Sequence, residues 1–459
     1  MGDVIKEKCG VFGCFNIENA PLINYYGLHA LQHRGQEGCG ILGYDKLENF
    51  ILKKGMGLVS EKFKSTDFKN WKAKNSIGHV LYSTTGGSIE CNVQPFYFNI
   101  KDDKFGLVHN GNLTNAHIIK DKMESEGSIF QATSDSEILA HLYTKSKETQ
   151  RLDKIKSSLN VISGAFAFLL LFEDELYAIR DRNGLRPLSI GKFNNGYVVA
   201  SETYAFDVTG ATYIRDVNPG EIVKISNKGL ESFYFSKNNF NNVCSMEYIY
   251  FSHPSSNINN INVHNFRVES GKLLAAQENN YPGDIVIGVP DSSTSSALGY
   301  SKQSKLPFDI GLIKNKYSGR TFIQPTKELR EIGVRNKLSV IKDVVKDKRV
   351  ILIDDSIVRG TTSKYIVKLL KNNGAKEVHV RVASPPIKYP SYYGIDISTY
   401  KELIAANMTI NQMIEYIGCD SLSFLSIDNL KKLFAPNQGC FDIFTGEYPA
   451  DIYDLNKGE

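Results

Sequence analysis

The apolar positions of this chain follow two patterns. In the first half, stretches such as Glu175–Arg180 and Tyr197–Ser201 alternate in the way expected of antiparallel strands. In the second half the apolar residues run together. Val350, Ile351, Leu352 and Ile353 predict a buried strand, and Asp284–Val289 reads as another. Between Lys364 and Asn373, Ile366, Val367, Leu369 and Leu370 share one face of a predicted helix that stops at Gly374. The polar segment Ser236–Asn242 lacks apolar periodicity and is the best linker candidate between the two halves. No internal repeat or low-complexity tract interrupts the pattern.

At 459 residues the chain is long enough for two or three domains, and a net charge of +4 argues for neither nucleic acid nor membrane. The strongest apolar run, Ala165–Phe172, is too short to span a bilayer. The opening MGDVIKEK has no apolar core and is not a secretory signal. Seven cysteines (Cys9, Cys14, Cys39, Cys91, Cys244, Cys419, Cys440) include no C-x-x-C pair. That pattern suits a reducing cytosol rather than a disulfide framework, so a cytoplasmic location is expected.

The chemistry concentrates at Arg349–Ser363, RVILIDDSIVRGTTS. A strand that opens through small residues into a helix offers backbone N–H groups and the positive dipole end to an anion. Asp354 and Asp355 just before the turn could hold a ribose diol or a hydrated Mg²⁺. No G-x-x-x-x-G-K-[ST] is present, so this is not a nucleotide P-loop. Elsewhere the residues alone leave choices open. Cys9 could be a small core residue or a nucleophile activated by a terminal amine. His109–Leu113, HNGNL, could be a plain hairpin turn. The basic run Lys314–Lys337 could be a solvated face, a nucleic-acid contact or a loop broken by Gly319, Pro325 and Gly333.

The strings taken together narrow the choice. DDSIVRGTTS resembles the phosphoribosyl pyrophosphate (PRPP) motif of type I phosphoribosyltransferases, in the form found in the amidophosphoribosyltransferase family. CGVFG, LQHRGQEG, GHVLYSTTGG, NVQPF, HNGNL, TSDSE, RDRNGLRPL and SETYAFD, in this order, are similar to a class II glutamine amidotransferase domain. The resemblance runs on through ASPPIKYP, YGIDIST, IGCDSLSFLS and FTGEYP and so covers nearly the whole chain. It implies an α+β N-terminal nucleophile hydrolase domain (four-layer αββα) at 9–235, preceded by a removable leader at 1–8. A doubly wound α/β type I phosphoribosyltransferase domain at 244–459 is implied to follow.

The same resemblance assigns roles. Cys9 would attack the glutamine amide, Asn110 and Gly111 would form the oxyanion hole, and Asp135 and Arg34 would bind glutamine, Arg34 as part of the pocket wall. PRPP would lie on Asp354, Asp355, Ser356, Arg359, Gly360, Thr361, Thr362 and Ser363, with Arg320 and Lys337 from the closing basic loop. Mg²⁺ would be held through Ser292, Asp354 and Asp355. The implied reaction turns PRPP, glutamine and water into 5-phosphoribosylamine, glutamate and pyrophosphate, the first committed step of purine biosynthesis. Purine nucleotides as inhibitors and a homo-oligomer are implied too. Many family members with a leader carry a four-cysteine [4Fe–4S] cluster. Here only Cys244 and Cys440 match its ligands, Ser391 and Ile443 falling at the other two positions, so no cluster is expected.

One position departs from the family. HVLYST carries Leu81 where the family has an Arg that grips the glutamine α-carboxylate. Two other readings therefore stay open: an enzyme that relies on ammonia, and a PRPP-sensing regulator without turnover. The intact Cys9, Asn110, Gly111 and Asp135 weigh against the regulator. Because Cys9 has no sequence-adjacent base, intact-mass analysis of active protein should show the loss of Met1–Lys8. Full glutamine-dependent activity with Met1 still attached would refute that expectation.

Overall fold

The computed structural model describes residues 9–46, 49–82, 89–100, 103–236, 240–315, 338–395, 397, 399–436 and 438–453. Alternation along the strands builds the first half as two antiparallel sheets. β1 (Gly10–Phe15), β2 (Gly38–Asp45), β3 (Asn49–Met56) and β4 (Asn75–Leu81) enter one sheet, and β5 (Phe96–Ile100), β6 (Asp103–Leu113), β7 (Gly164–Leu171) and β8 (Leu176–Arg180) the other. β9 (Ser189–Phe193), β10 (Gly196–Ala200) and β11 (Thr212–Asp216) return to the first sheet, and β12 (Glu221–Ser226) and β13 (Gly229–Tyr234) to the second.

Successive side chains point to opposite faces of a strand, and each sheet uses both faces. Val11 and Phe15 of β1 face inward and meet Val108, Ala167 and Leu169 of the opposite sheet. Phe12 and Cys14 point the other way, packing with Leu28 of the helix Ala20–Ala30. On the far side of the second sheet, Phe105, Phe166 and Phe168 pack with Ile119, Ile138 and Ile155 from three helices. This is the expected four-layer arrangement. Both faces of β7 are covered, which explains the apolar run at Ala165–Phe172.

In the second half, β14 (Asn257–Ile258) and β15 (Ile261–Asn262) form a small ribbon. β16 (Ile285–Gly288), β19 (Arg349–Asp354), β20 (Glu377–Val382) and β21 (Ser421–Phe424) form a parallel sheet in that order. β17 (Leu312–Lys314) and β18 (Leu338–Val340) pair antiparallel. Helices cover both faces of the parallel sheet. Val286, Ile351 and Ile353 pack with Phe266, Leu274 and Tyr300 from helices Val263–Ala276 and Thr294–Ser304. Ile287, Val350 and Leu352 pack with Ile366, Leu370 and Met413 from helices Thr361–Asn372 and Ile410–Ile417. On its other edge β16 makes a parallel bridge to Phe308. The chain thus leaves β16 in one direction and resumes at β19 in the other, a topological switch point of the kind that binds ligands in such sheets.

One sequence expectation needs adjustment. The helix after the phosphate turn begins at Thr361 rather than Lys364, because Gly360 at φ +75° turns the chain and the threonines enter the first helical turn. The described part of the linker is anchored, with Asn242 donating to the Asn183 carbonyl at 2.7 Å. Cys419 lies in the turn between helix Ile410–Ile417 and β21, buried as core.

The halves are joined by a dry ion cluster. Arg34 Nη1 donates to Glu202 Oε1 at 2.6 Å and to Glu247 Oε2 at 3.0 Å, and Arg34 Nη2 donates to Glu247 Oε1 at 2.9 Å. Arg186 Nη1 also donates to Glu247 Oε1, at 2.9 Å. All four side chains have 0 % exposure. Burial alone would raise the Glu202 carboxyl, but His33 and Arg34 hold it well below the usual range. Removing one partner of a buried pair typically costs about 3–5 kcal/mol. Glu247→Gln should therefore destabilise the chain by roughly that amount. The measurement is denaturant unfolding of the variant beside the native chain.

Candidate functional sites

Cys9 stands at the mouth of β1, half-buried, where pairing with β4 brings its thiol to 3.6 Å from the Tyr82 carbonyl oxygen. Burial pushes this peptide-linked thiol up to about 11, and the nearby Asp135 carboxylate raises it further, against the opposing Tyr82 hydrogen bond and Arg34 charge. It is a poor nucleophile until a base takes its proton. Arg34 Nε reaches the Cys9 carbonyl at 3.3 Å, and its guanidinium is engaged by the two glutamates.

β6 carries the rest. Asn110 is fully buried, and among the described residues neither atom of its amide has a hydrogen-bond partner. An unpaired buried amide is costly and marks a place awaiting a polar ligand. Gly111 has φ +150°, and a side chain there would meet the Ala165 carbonyl oxygen at 2.0 Å, so only glycine fits. Asp135 Oδ2 accepts from the Leu113 N–H at 2.8 Å, which ties it to the same strand; the HNGNL string is the paired end of β6 rather than a hairpin turn. Burial works to raise the Asp135 carboxyl, but His109, the Leu113 N–H and Ser136 hold it below its ordinary value, as an anion. His109 was quoted in the sequence without a role. It is buried, with Nδ1 2.9 Å from Ser136 Oγ and 3.6 Å from Asp135 Oδ1, and its ring stacks on Phe168. A lone His in such a string carries no signal of this; its stacking on Phe168 of the neighbouring strand β7 supplies it.

Leu81 is buried at the end of β4, 5 % exposed. Two cationic side chains that could take the place of the missing Arg are Arg34 and His79; Arg34 is engaged by the two glutamates, and burial pushes His79 down to about 3, so it is neutral. His79 Nε2 lies 3.1 Å from the His109 carbonyl oxygen, bridging the two sheets.

The second site lies at the switch point. Asp354 and Asp355 are both buried, and the turns after β16 and β19 converge on them. Ser293 Oγ and Ser363 Oγ each lie 3.5 Å from an Asp354 oxygen, and Ser356 Oγ lies 3.0 Å from Asp355 Oδ1. Ser292 also hydrogen-bonds Asp355. Sequence reading had singled out Ser292 but not Ser293; its position opening the helix Thr294–Ser304 was the available signal. Burial raises both carboxyls, and the Asp355 charge raises Asp354 further, against the opposing serine hydrogen bonds. Gly360 and Thr361 stand at the N-terminus of helix Thr361–Asn372, followed by Thr362 and Ser363, while Arg359 pairs with Glu402.

The carboxylates and hydroxyls fit Mg²⁺, a hard cation that takes one or two carboxylates and keeps its waters. Among the described residues no group of three or more His, Cys, Asp or Glu converges as a complete cage. The residues do not fit an iron–sulfur cluster. Cys244 and Cys440 are joined by a parallel bridge, but Ile443 lies wholly in the apolar core. Arg320, Lys337, the remaining basic loop and Met1–Lys8 lie outside the described residues.

Residues 84–208 match the family model described as a glutamine amidotransferase domain, and residues 259–403 the one described as a phosphoribosyl transferase domain. The protein named amidophosphoribosyltransferase of Bacillus subtilis (strain 168) is 52% identical over 456 residues, 98% of this chain and 95% of its own length. This chain belongs to the amidophosphoribosyltransferase family. Its members are glutamine-dependent pentosyl transferases of purine biosynthesis. Another, from Staphylococcus epidermidis, is 47% identical over 461 residues, 99% of this chain and 93% of its own. A solved structure described as glutamine PRPP amidotransferase from B. subtilis complexed with ADP and GMP matches with TM-score 0.92 at 51% identity, covering 97% of this chain and 98% of that one. The family lends nothing to the ammonia-only reading. Among the described residues no helix is long and apolar enough to cross a membrane.

Leu81 still predicts weak glutamine binding for a family member, since leucine offers a carboxylate no donor. Loss of a charge-assisted partner typically costs about 2–5 kcal/mol. That corresponds to roughly 30-fold to several thousand-fold in affinity. Leu81→Arg should lower the glutamine KM while leaving ammonia-dependent synthesis nearly unchanged. A native KM already in the micromolar range, with no gain in the variant, would assign the carboxylate to another residue.

Proposed function

We propose that the chain converts PRPP, glutamine and water to 5-phosphoribosylamine, glutamate and pyrophosphate, using two sites in one chain. The observation that carries this reading is the occurrence of both constellations, Cys9 with Asn110–Gly111–Asp135 and Asp354–Asp355 at the switch point, in a chain related over nearly its full length to amidophosphoribosyltransferases.

In the first site, removal of Met1–Lys8 frees the Cys9 α-amine, whose ordinary pKa of about 8 lets it take the thiol proton. The thiolate attacks the amide carbon, and the oxygen that gains charge is met by the Asn110 side chain and the Gly111 N–H. Asp135 holds the substrate ammonium and Arg34 shapes the wall. Ammonia leaves, and water hydrolyses the thioester to glutamate. In the second site, Asp354 and Asp355 hold the ribose, and the N–H groups and hydroxyls of Ser356–Ser363 hold the 5-phosphate. Ammonia displaces pyrophosphate from the sugar carbon. The transferase site supplies position and charge rather than a nucleophile. Mg²⁺, held through Asp354, Asp355 and Ser292, would neutralise the leaving pyrophosphate when bound, with Arg320 and Lys337 contributing from the basic loop. Purine nucleotides are proposed as inhibitors, in keeping with the ADP and GMP named with the B. subtilis structure.

The direct test is product formation from PRPP with glutamine and, separately, with ammonium; synthesis with neither would refute the reading. Asp354→Asn or Asp355→Asn should abolish most synthesis from PRPP and leave glutamine hydrolysis measurable. Burial and their mutual proximity make Asp354 and Asp355 hold a proton to higher pH than ordinary carboxylates. PRPP with Mg²⁺ needs the anions, so binding should release protons and tighten as pH rises through the pair's titration. Calorimetry in buffers of different ionisation enthalpy measures that release.

A further inference from the structure

The end of β6 that carries Asn110 and Gly111, and the turn it leads into at Thr114, are not closed by their own domain alone. A segment of the transferase half, Pro390–Gly394, lies directly against it. Asn112 Nδ2 donates to the Tyr392 carbonyl oxygen at 2.8 Å, although the two residues are 280 positions apart. Arg186, anchored on Glu247, donates from its other terminal nitrogen to the Tyr393 carbonyl. Tyr393 is buried with Ala165, Leu185, Cys440 and Ala450 in a small apolar cluster shared by both halves. Ala165 is the residue whose carbonyl oxygen presses on Gly111. Thr114, in the turn that follows β6, donates to the Asp451 carbonyl oxygen at 2.7 Å.

The tightest approach is at Gly394. Its φ is +91°, and a methyl group built there would stand 3.3 Å from Asn112 Cβ, 3.4 Å from the Gly111 carbonyl carbon and 3.4 Å from Arg186 Nη2. The left-handed φ disfavours any side chain at Gly394, and the 3.3 Å approach to Asn112 Cβ is tight enough that an added methyl group must push Asn112 or the Gly394 backbone aside. Oxyanion donors are sensitive to position, since a misplacement of about 1 Å can cost on the order of 10²-fold in rate.

We propose that the Pro390–Gly394 segment is a positioning element for the glutaminase site. The transferase half, through the Asn112–Tyr392 bond and the glycine contact at Gly394, sets the Asn110–Gly111 end of β6 in the geometry that receives the oxyanion. The inference rests on the reading of Asn110 and Gly111 as oxyanion donors. It deepens that reading by making the hydrolytic site dependent on a loop more than 270 residues downstream in the chain.

The test uses the full-length, processed protein and three variants: Asn110→Ala, Asn112→Ala and Gly394→Ala. For each, glutaminase kcat and glutamine KM are measured together with ammonia-dependent synthesis. The affinity for the γ-aldehyde of glutamate is compared with that for glutamate itself. The aldehyde reports on that end of β6: the Cys9 sulfur adds to its carbonyl carbon, the C=O π pair moves to oxygen with the thiol proton, and the resulting tetrahedral oxygen occupies the oxyanion position. Asn112→Ala and Gly394→Ala are expected to lower kcat by about tenfold or more. The aldehyde affinity should weaken in parallel, while glutamine KM, glutamate affinity and ammonia-dependent synthesis stay within about threefold of native. A merely structural role would not separate aldehyde from glutamate. If Asn110→Ala lowers kcat but Asn112→Ala leaves kcat and aldehyde affinity at native values, the positioning role is overturned. If Asn110→Ala itself has no effect, the oxyanion reading fails and takes this inference with it. Should Gly394→Ala lose ammonia-dependent synthesis through misfolding, Asn112→Ala, which adds no atoms, decides the matter.

Discussion

The structure depends most on a charge balance that water never reaches. Arg34 and Arg186 from the first half and Glu247 from the second meet in full burial, with Glu202 completing the cluster. A buried ion pair is weak evidence for stability in itself, because desolvation offsets most of the Coulombic gain. Its consequence lies in geometry. No member can move without leaving an unpaired charge in a dry interior, so the halves hold one mutual arrangement. Arg34 also touches the Cys9 carbonyl, and Arg186 reaches the Tyr393 carbonyl. The same cluster therefore fixes the nucleophile's strand and the loop that faces the oxyanion end of β6.

The two sites have opposite electrostatic characters. Around Cys9 and Asn110 the surroundings are dry, with an unpaired amide and a thiol that burial keeps protonated. Such a place favours a reaction that generates charge where donors already wait. At Asp354 and Asp355 two carboxyls are crowded into burial with serine hydroxyls as partners, so burial and mutual repulsion oppose full ionisation of the pair.

Within the fold, backbone special positions do most of the aiming. Gly111 admits the Ala165 carbonyl at a distance that a Cβ would forbid, while Gly394 and Gly360 take left-handed φ values that disfavour any side chain, Gly360 turning the chain into the helix Thr361–Asn372. The cost of such turns is met by the packed sheets on either side, whose cores are continuous and apolar.

What the sequence alone determined was local and periodic. Alternation located two of the antiparallel strands, β8 and β10, apolar runs located two of the parallel ones, β16 and β19, and the Arg349–Ser363 string declared a strand, a carboxylate pair and a turn into a helix in one reading. Those features depend on neighbours a few residues away, so they are legible without a fold. Cys9, Asn110, Gly111 and Asp135 were legible only as an ordered set, since each by itself is ordinary in a strand end or a turn. The roles of Glu247, His109, Ser293 and Gly394 were decided by tertiary structure. Glu247 reads as one more acidic residue until it is buried between two arginines from the other half. Gly394 reads as a loop glycine until Gly111, more than 280 residues earlier, is found against it. The physical reason is the same for all four: their function is a contact across the halves, the sheets or the switch point, and no local pattern records which distant residue will arrive there.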